Sequence, residues 1–271
     1  MEIENKVAVI TGAASGIARA VAGELARQGA RAIGMVDVNE AVSEAAQAIN
    51  RKTGREVAVP FTGDVTDNDF RRRVFKELTE DRGLVNICVP AAGITRDALA
   101  VKVDKATGKA GIYDIDNFRL VTEVNLIAPI YWALEMVAWT AESRAARGLR
   151  KWHPDEGIQG AVVFIGSVSS QGNKGQISYA TTKAGLKGAA ATLTMEAIFH
   201  GVRCGVIHPG YTDTPMVRAL GEDFINEHIL PKTQLNRLIR PEEIANAICA
   251  MISNSAISGE VWADAGWSPG P

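Results

Sequence analysis

Apolar and polar positions along the chain fall into two alternating kinds of block. Short apolar runs with the length and β-branching of buried strands lie near 6–10, 31–36, 57–63, 84–89, 160–166, 202–207 and 259–263. Between them, near 16–28, 39–53, 67–81, 117–146, 178–200 and 241–253, apolar residues recur at helical spacing. Strands buried on both faces read as near-continuous apolar runs, and strand–helix alternation builds a parallel sheet wrapped on both sides. The pattern predicts an α/β doubly wound fold of about seven strands in one domain spanning 1–271, since α/β chains of this length commonly form a single unit. Two stretches fall outside the frame. Residues 102–116 are polar and glycine-containing, and 142–160 carries Arg144, Arg147, Arg150, Lys151, Trp152 and His153. The second is expected as a solvated helix end and loop.

Composition narrows the function classes. Hydrophobic residues at 46% and charged ones at 22% are ordinary for a globular chain, and a net charge of -2 offers no broad basic footprint for nucleic acid. No uninterrupted apolar run approaches the roughly 20 residues of a membrane span, and the opening Met1-Glu-Ile-Glu-Asn lacks the basic start of a signal peptide, so the expected location is cytoplasmic. Cys88, Cys204 and Cys249 are scattered and odd in number, which reads as buried apolar thiols in a reducing compartment. The four histidines follow no metal-ligand spacing, so no metal is expected.

The first apolar run, Lys6-Val-Ala-Val-Ile10, leads into Thr11-Gly-Ala-Ala-Ser-Gly-Ile-Ala18 and then a helical pattern. Strand, glycine turn and helix make a phosphate site. Gly12 permits the turn, Gly16 lets backbone approach a pyrophosphate, and Ser15 and Ile17 frame the positive end of the helix. Asp37 closes the second run 25 residues after Gly12, near the spacing of about 20 expected for an acid that accepts both hydroxyls of an adenosine ribose. Its charge would repel a 2′-phosphate, which favours NAD(H) over NADP(H). An ordinary strand–turn corner, with Asp37 capping the next helix, is the structural alternative.

Tyr179 and Lys183 lie four apart in Ser-Tyr-Ala-Thr-Thr-Lys-Ala-Gly, and Ser167 lies twelve residues before Tyr179. On a helix this spacing puts phenol and ammonium on one face. A nearby cation lowers a phenol from its reference value of about 10 toward the range useful for proton transfer. The bare pair is common on solvated helices, and its meaning comes from the glycine turn and acid upstream.

These residues, with Asp64-Val65, Ala91-Ala-Gly93, Asn125 and Pro209-Gly210-x-Thr212, occur in the order found in short-chain dehydrogenases/reductases, and the match spans nearly the whole chain. Within that family the chain is most similar to β-ketoacyl-(acyl carrier protein) reductases, through Gly93-Ile-Thr-Arg-Asp97, Tyr211-Thr-Asp-Thr-Pro-Met216 and Arg240-Pro-Glu-Glu-Ile-Ala245. The resemblance implies a Rossmann-type sheet of order 3-2-1-4-5-6-7. It gives Tyr179 the proton transfer, Lys183 the nicotinamide ribose, and Ser167 the substrate oxygen, with Ser169 and Ser170 as rivals for that last role. Asn125 would anchor a water leading to Lys183; a helix kink or a buried amide bonded to backbone is equally open.

By the same resemblance Asp64 and Val65 meet the adenine, Ala92 and Gly93 lie along the ribose, and Pro209, Gly210 and Thr212 form a turn under the nicotinamide. Asp64 is also a candidate cap for the helix near Asp67. Residues 211–236 would cover a small-molecule substrate with Met216, Leu220, Phe224, Ile225 and Ile229. Tyr131, Trp132, Trp139, Leu193 and Met195 would pair subunits into a homotetramer or homodimer. A 3-oxoacyl thioester is the leading substrate. His200, where similar reductases place an arginine for carrier docking, and Asp37 keep an NAD-linked dehydrogenase of another secondary alcohol open. A dinucleotide sensor and a nucleotide-sugar epimerase or dehydratase are the remaining alternatives.

Overall fold

The computed structural model describes residues 1–267. Its strands, in chain order, are β1 (Val7–Thr11), β2 (Ala32–Asp37), β3 (Ala58–Thr62), β4 (Val85–Pro90), β5 (Val101–Val103), β6 (Ala110–Ile112), β7 (Gly160–Ile165), β8 (Val202–Pro209) and β9 (Gly259–Ala263). The α-helices are α1 (Gly16–Arg27), α2 (Ala41–Thr53), α3 (Asn68–Arg82), α4 (Ile115–Thr122), α5 (Ala128–Ala146), α6 (Ile177–Glu196), α7 (Pro215–Arg218), α8 (Glu222–Phe224) and α9 (Pro241–Ser253). Seven strands form one parallel sheet in the order β3-β2-β1-β4-β7-β8-β9. This is the expected order once β5 and β6 are left out of the count.

The apolar runs become the inner strands of the sheet, neither face of which meets water, while the edge strands β3 and β9 are partly exposed. On one side, Val21, Leu25, Ile33 and Ile248 are fully buried in the layer that includes α1, α2 and α9. On the other, Phe75, Trp132, Met136 and Leu186 fill the space under α3, α5 and α6. Each such side chain contributes about 1.5–3 kcal/mol relative to exposure. Strand order reverses between β1 and β4, which opens a crevice at the carboxyl ends of the strands there.

Several features depart from the sequence expectations. Residues 102–116 are not a bare loop: β5 and β6 pair antiparallel in a separate hairpin. The Tyr113 hydroxyl donates to the Arg96 carbonyl and lies 2.9 Å from Ser178 Oγ, tying the hairpin base to the start of α6. The helical run 117–146 begins at Ile115 and is broken by a π-turn, Glu123–Ile127. The helix-start role weighed for Asp64 belongs to Asp67, whose carboxylate accepts from the Asp69 and Phe70 amides.

By length and composition the helical stretch Ile115–Ala146 could cross a membrane, contrary to the expectation that no segment is apolar enough. One face of it lies against the sheet, with Trp132, Ala133 and Met136 fully buried, and that packing accounts for part of its apolar character, while Ile127, Tyr131 and Leu134 remain exposed.

The solvated reading of 142–160 fails at Arg144. Its side chain is 1% exposed and grips Glu156 through two hydrogen bonds, 2.6 and 3.1 Å. These bonds, with the His153 amide, hold the Glu156 carboxyl down at about 2. Replacing Glu156 by Gln leaves a buried guanidinium without its counter-charge, so thermal melting is expected to drop by several degrees while dinucleotide binding is unchanged. A Tm equal to wild type would show that the clamp adds no stability.

Candidate active site

At the crevice lies a cavity of ≈ 490 Å³ whose wall collects residues from five strand ends and from α6. The β1–α1 turn supplies Gly12, Ser15, Gly16 and Ile17; Asp37 ends β2; Asp64 and Val65 follow β3; Ala92 and Gly93 follow β4; Tyr179 and Lys183 face it from α6. Ser167, Asn125, Pro209, Gly210 and Thr212 lie outside the wall itself. Val38, Gly63, Ile94, Arg96, Leu120, Val124, Ile165, Thr214, Pro215 and Met216, to which no site role was given beyond Met216's place in the cover, complete it with Ala18 and Ala91 of the two motifs. The adjacency of Val38 to Asp37 and of Ile94 to Gly93 was the available signal for two of them.

The glycine turn has the form a phosphate cradle needs. Gly12 adopts φ +73°, and a Cβ there would lie 2.9 Å from the Ala92 backbone, so any larger residue would push apart the ends of β1 and β4. Gly16 takes φ +57° beneath Thr214. Ser15 caps α1 by position only, since its side chain makes no capping bond. The first-turn amides of α1 are thus not taken up by that cap, as an anion site at a helix N-terminus requires.

Asp37 Oδ2 accepts the Ala14 amide at 3.0 Å and Oδ1 accepts the Asn39 amide at 2.9 Å, which fixes the carboxylate beside the turn. A carboxylate has about four acceptor sites, so it retains capacity for ribose hydroxyls. Arg19 lines a different cavity, and Arg31 stands at the opposite end of β2; neither is on the wall around Asp37. Asp64 binds the amide and hydroxyl of Thr66. The Val65 carbonyl receives the Trp132 indole N–H at 2.9 Å.

Ser167 follows β7 in extended backbone and starts the short turn Val168–Gln171. Its Oγ accepts the Ser169 amide at 3.1 Å, leaving its own proton to donate. The rivals are otherwise engaged: Ser169 Oγ donates to Gln176 Oε1 at 2.8 Å, and Ser170 Oγ donates to the Ser167 carbonyl. Of the three serines, only Ser167 bears on the acidity of the Tyr179 phenol, without a hydrogen bond of ordinary length between the two hydroxyls.

Lys183 is buried; its ammonium donates to the Ile165 carbonyl at 2.7 Å and lies 5.6 Å from the centre of the Tyr179 ring. Burial pushes the phenol up to about 12, with hydrogen bonding to Ser167 pulling the other way and the Asp97 and Tyr211 charges adding to the rise. The phenol is therefore not lowered by its lysine neighbour as the spacing led one to expect. Desolvation outweighs a cation that is turned toward a backbone carbonyl. Burial also brings Lys183 down to about 8.

The Lys183 shift is linked to stability. From pH 8 to the ordinary lysine value of 10.5, the unfolded chain binds more protons at this residue than the folded one, so its contribution to stability rises with pH. Lys183→Met is expected to lose that rise, read as Tm against pH; an unchanged slope would contradict the buried ammonium.

Asn125 occupies the π-turn, fully buried, and trades two 2.8 Å bonds with the Ile94 amide and carbonyl. Both structural alternatives are thus realised. An added Cβ at Gly93 would meet Asn125 Oδ1 at 3.4 Å and Lys183 Nζ at 3.8 Å, so this amide holds the wall beside the lysine. Thr212 is buried and its hydroxyl donates to the Gly210 carbonyl at 3.0 Å, so it does not reach the cleft. A Cβ at Gly210 would strike the Asp264 backbone at 2.7 Å, which explains that glycine by strand-end packing.

The segment 211–236 contributes Met216 to the wall, while Ile225 and Ile229 bury themselves in a small cluster with Leu238. Leu220 and Phe224 are exposed. Of the proposed subunit contacts, Trp132 and Leu193 belong to the core, whereas Tyr131 and Met195 are exposed.

A doubly wound sheet with a glycine turn, an acidic strand end and a Tyr–Lys pair on one cleft has the form of a dinucleotide-dependent oxidoreductase. A family model described as enoyl-(acyl carrier protein) reductase matches residues 12–268, and the chain belongs to the short-chain dehydrogenase/reductase family, enzymes that act on CH–OH and ketone groups with a nicotinamide cofactor. It is 34% identical over 264 residues to a 3-oxoacyl-[acyl-carrier-protein] reductase of Escherichia coli K12, covering 96% of each chain. It is 30% identical to an acetoacetyl-CoA reductase of Allochromatium vinosum, covering 93% of this chain and 92% of the other. A short-chain type dehydrogenase/reductase from Mycobacterium marinum superposes with a TM-score of 0.82 at 23% identity, over 98% of this chain and 97% of that one.

Proposed function

We propose that the protein is an NAD(H)-dependent oxidoreductase that interconverts a secondary alcohol and a ketone, with a 3-oxoacyl thioester and its 3-hydroxy product as the pair handled. The observation that supports this reading is the placing of Tyr179 and Lys183 on the same cleft wall as a glycine turn and its acid, Asp37, with neither Arg19 nor Arg31 on that wall. The names of the relatives in Escherichia coli and Allochromatium vinosum support the thioester.

Gly12, Ser15, Gly16 and Ile17 would hold the pyrophosphate, Asp37 the adenosine ribose, and Asp64, Val65, Ala92 and Gly93 the adenosine side of the cleft. Pro209, Gly210 and Thr212 would support the nicotinamide from behind the wall. A bound nicotinamide supplies or accepts the hydride. Tyr179, with its phenol raised to about 12, carries its proton at neutral pH and stands ready to give it to an alkoxide forming on the substrate. Ser167 donates a hydrogen bond to the same oxygen and stabilises its developing charge. Two donors converging on one oxygen suit a carbonyl better than an isolated carbon–carbon double bond, which bears on the enoyl description of the family model. Lys183 holds a positive charge under the site, and Asn125 positions the Gly93–Ile94 wall beside it.

Met216, Leu120 and Val124 give the substrate end an apolar lining suited to an acyl chain. The exposed apolar residues Ile127, Tyr131 and Leu134 on the α4–α5 run, and Met195 on α6, support a homotetramer, and the buried free thiols suit the cytoplasm. The test is a panel of acyl thioesters, steroids, polyols and small ketones with NAD(H) and NADP(H). Turnover is expected with 3-oxoacyl thioesters and NADH. Turnover confined to another secondary alcohol would overturn the substrate reading, and tightly retained NAD without net redox change would point to an epimerase.

A further inference from the structure

Behind the cleft lies a buried cluster with no role in the chemistry above. His208 on β8 is fully buried and stacked on Trp262 of β9, ring centres 4.2 Å apart and planes 16° from parallel. A Cβ at Gly166 would collide with the His208 ring, so the imidazole fills a gap that a glycine leaves at the end of β7. Its Nδ1 receives the Ser167 backbone N–H at 3.3 Å and lies 2.9 Å from Ser170 Oγ and 3.1 Å from the Ser167 carbonyl. On the far side, Nε2 faces Glu260 Oε2 at 3.3 Å without good hydrogen-bond geometry. Glu260 pairs with Lys187 Nζ at 3.2 Å. The Ser167 carbonyl and Ser170 Oγ also face Nδ1, but a proton on Nε2 meets the Glu260 carboxylate and leaves Nδ1 to accept the Ser167 N–H, and the neutral ring is assigned that tautomer.

We propose that His208 is a positioning residue for the reaction: its neutral, Nε2-protonated ring holds the Ser167 backbone by its amide and so sets the direction of the Ser167 hydroxyl, and protonation of the ring shifts that hold from the amide to the carbonyl and turns the hydroxyl. The inference rests on the reading of Ser167 as the hydrogen-bond donor to the substrate oxygen. An imidazolium has donors on both nitrogens. Its Nδ1–H would confront the Ser167 N–H donor to donor and turn instead to the Ser167 carbonyl or Ser170 Oγ, both within 3.1 Å. The Ser167 carbonyl and Glu260 from β9 favour the charged ring, while Lys187 from α6 and burial oppose it, burial most strongly, so the ring protonates below the ordinary histidine range. Turnover should therefore carry an acid limb set by a residue outside the cleft.

The test is the pH profile of kcat for NADH and acetoacetyl-CoA in wild type, Glu260→Gln and His208→Leu, with ring-nitrogen NMR of His208. Glu260→Gln removes one of the two groups favouring the imidazolium and leaves the Lys187 charge unpaired, so the acid limb moves to lower pH. His208→Leu lowers kcat about tenfold, as loss of a modest orienting contact does, with KM for NADH unchanged and the limb gone. NMR reports Nε2 protonated and Nδ1 bare at neutral pH. A limb unmoved in Glu260→Gln, wild-type kcat in a folded His208→Leu, or a proton on Nδ1 overturns the proposal. If His208→Leu does not fold, Glu260→Gln and the NMR decide. Ser167→Ala separates the two readings: wild-type turnover there overturns the role of Ser167 itself, whereas lost turnover with an unmoved Glu260→Gln limb overturns only that of His208.

Discussion

Tyr179→Phe is expected to lower kcat by about 10³-fold, within the range of roughly 10²–10⁴ for loss of a positioned acid–base group, while NADH still binds. The substitution removes one oxygen from a half-buried ring and leaves Gly12, Asp37 and Lys183 untouched, so binding and chemistry part company. The size follows from what the phenol does. Without it, a forming alkoxide has only the Ser167 hydroxyl to meet it, and about 4 kcal/mol of transition-state stabilisation corresponds to the expected loss. Because burial holds the phenol at about 12, turnover in the reducing direction should not fall through loss of this proton anywhere near neutrality. The oxidising direction needs the phenolate and should gain with rising pH. Steady-state kcat alongside NADH titration checks the variant; turnover near wild type would remove Tyr179 from the chemistry.

The second large effect concerns the cofactor. Wild type is expected to prefer NAD(H) over NADP(H) by about 10²-fold in kcat/KM, because a 2′-phosphate beside Asp37 meets like charge across a partly desolvated gap, where a few kcal/mol are at stake. Val38 follows Asp37, lines the same cleft and is 72% exposed. The double change Asp37→Ala with Val38→Arg removes the repulsion and adds a cation suited to phosphate. It should reverse the preference, since a hydrogen bond to a charged group contributes about 1.5–3 kcal/mol. Equal use of both cofactors by wild type would show that the acid does not discriminate, and the relatives' reductase names do not decide the matter.

Periodicity revealed the sheet because its five inner strands are almost wholly buried, and Val7–Ile10, short, β-branched and followed by a glycine turn, reads as the first of them. The hairpin β5–β6 escaped because its strands are three residues each, exposed, and paired only with one another. Arg144 escaped because charge alone suggests solvent, and only the fold brings Glu156 beneath it. At the site, residues that act through chain position were legible: Gly12 and Asp37 are local features of a turn and a strand end. Lys183 was legible as to place but not electrostatics, since its spacing from Tyr179 says nothing of the Ile165 carbonyl that holds it. Thr212 misled for the same reason, its hydroxyl spent on Gly210 two residues away. Thr214 and Pro215 reach the wall only because the segment after β8 folds back over Gly16.

The central claim is that this cleft exchanges a hydride with a carbonyl while Tyr179 and Ser167 tend its oxygen. Its most direct test is transfer of label from deuterated NADH to a 3-oxoacyl thioester, read by mass spectrometry of the 3-hydroxy product. With both hydrogens at the nicotinamide C4 replaced by deuterium, one deuterium on the carbinol carbon in wild type, and labelled product forming about 10³-fold more slowly in Tyr179→Phe despite bound NADH, is the expected result. A product bearing no label, or labelled product forming equally fast with the two proteins, would contradict it.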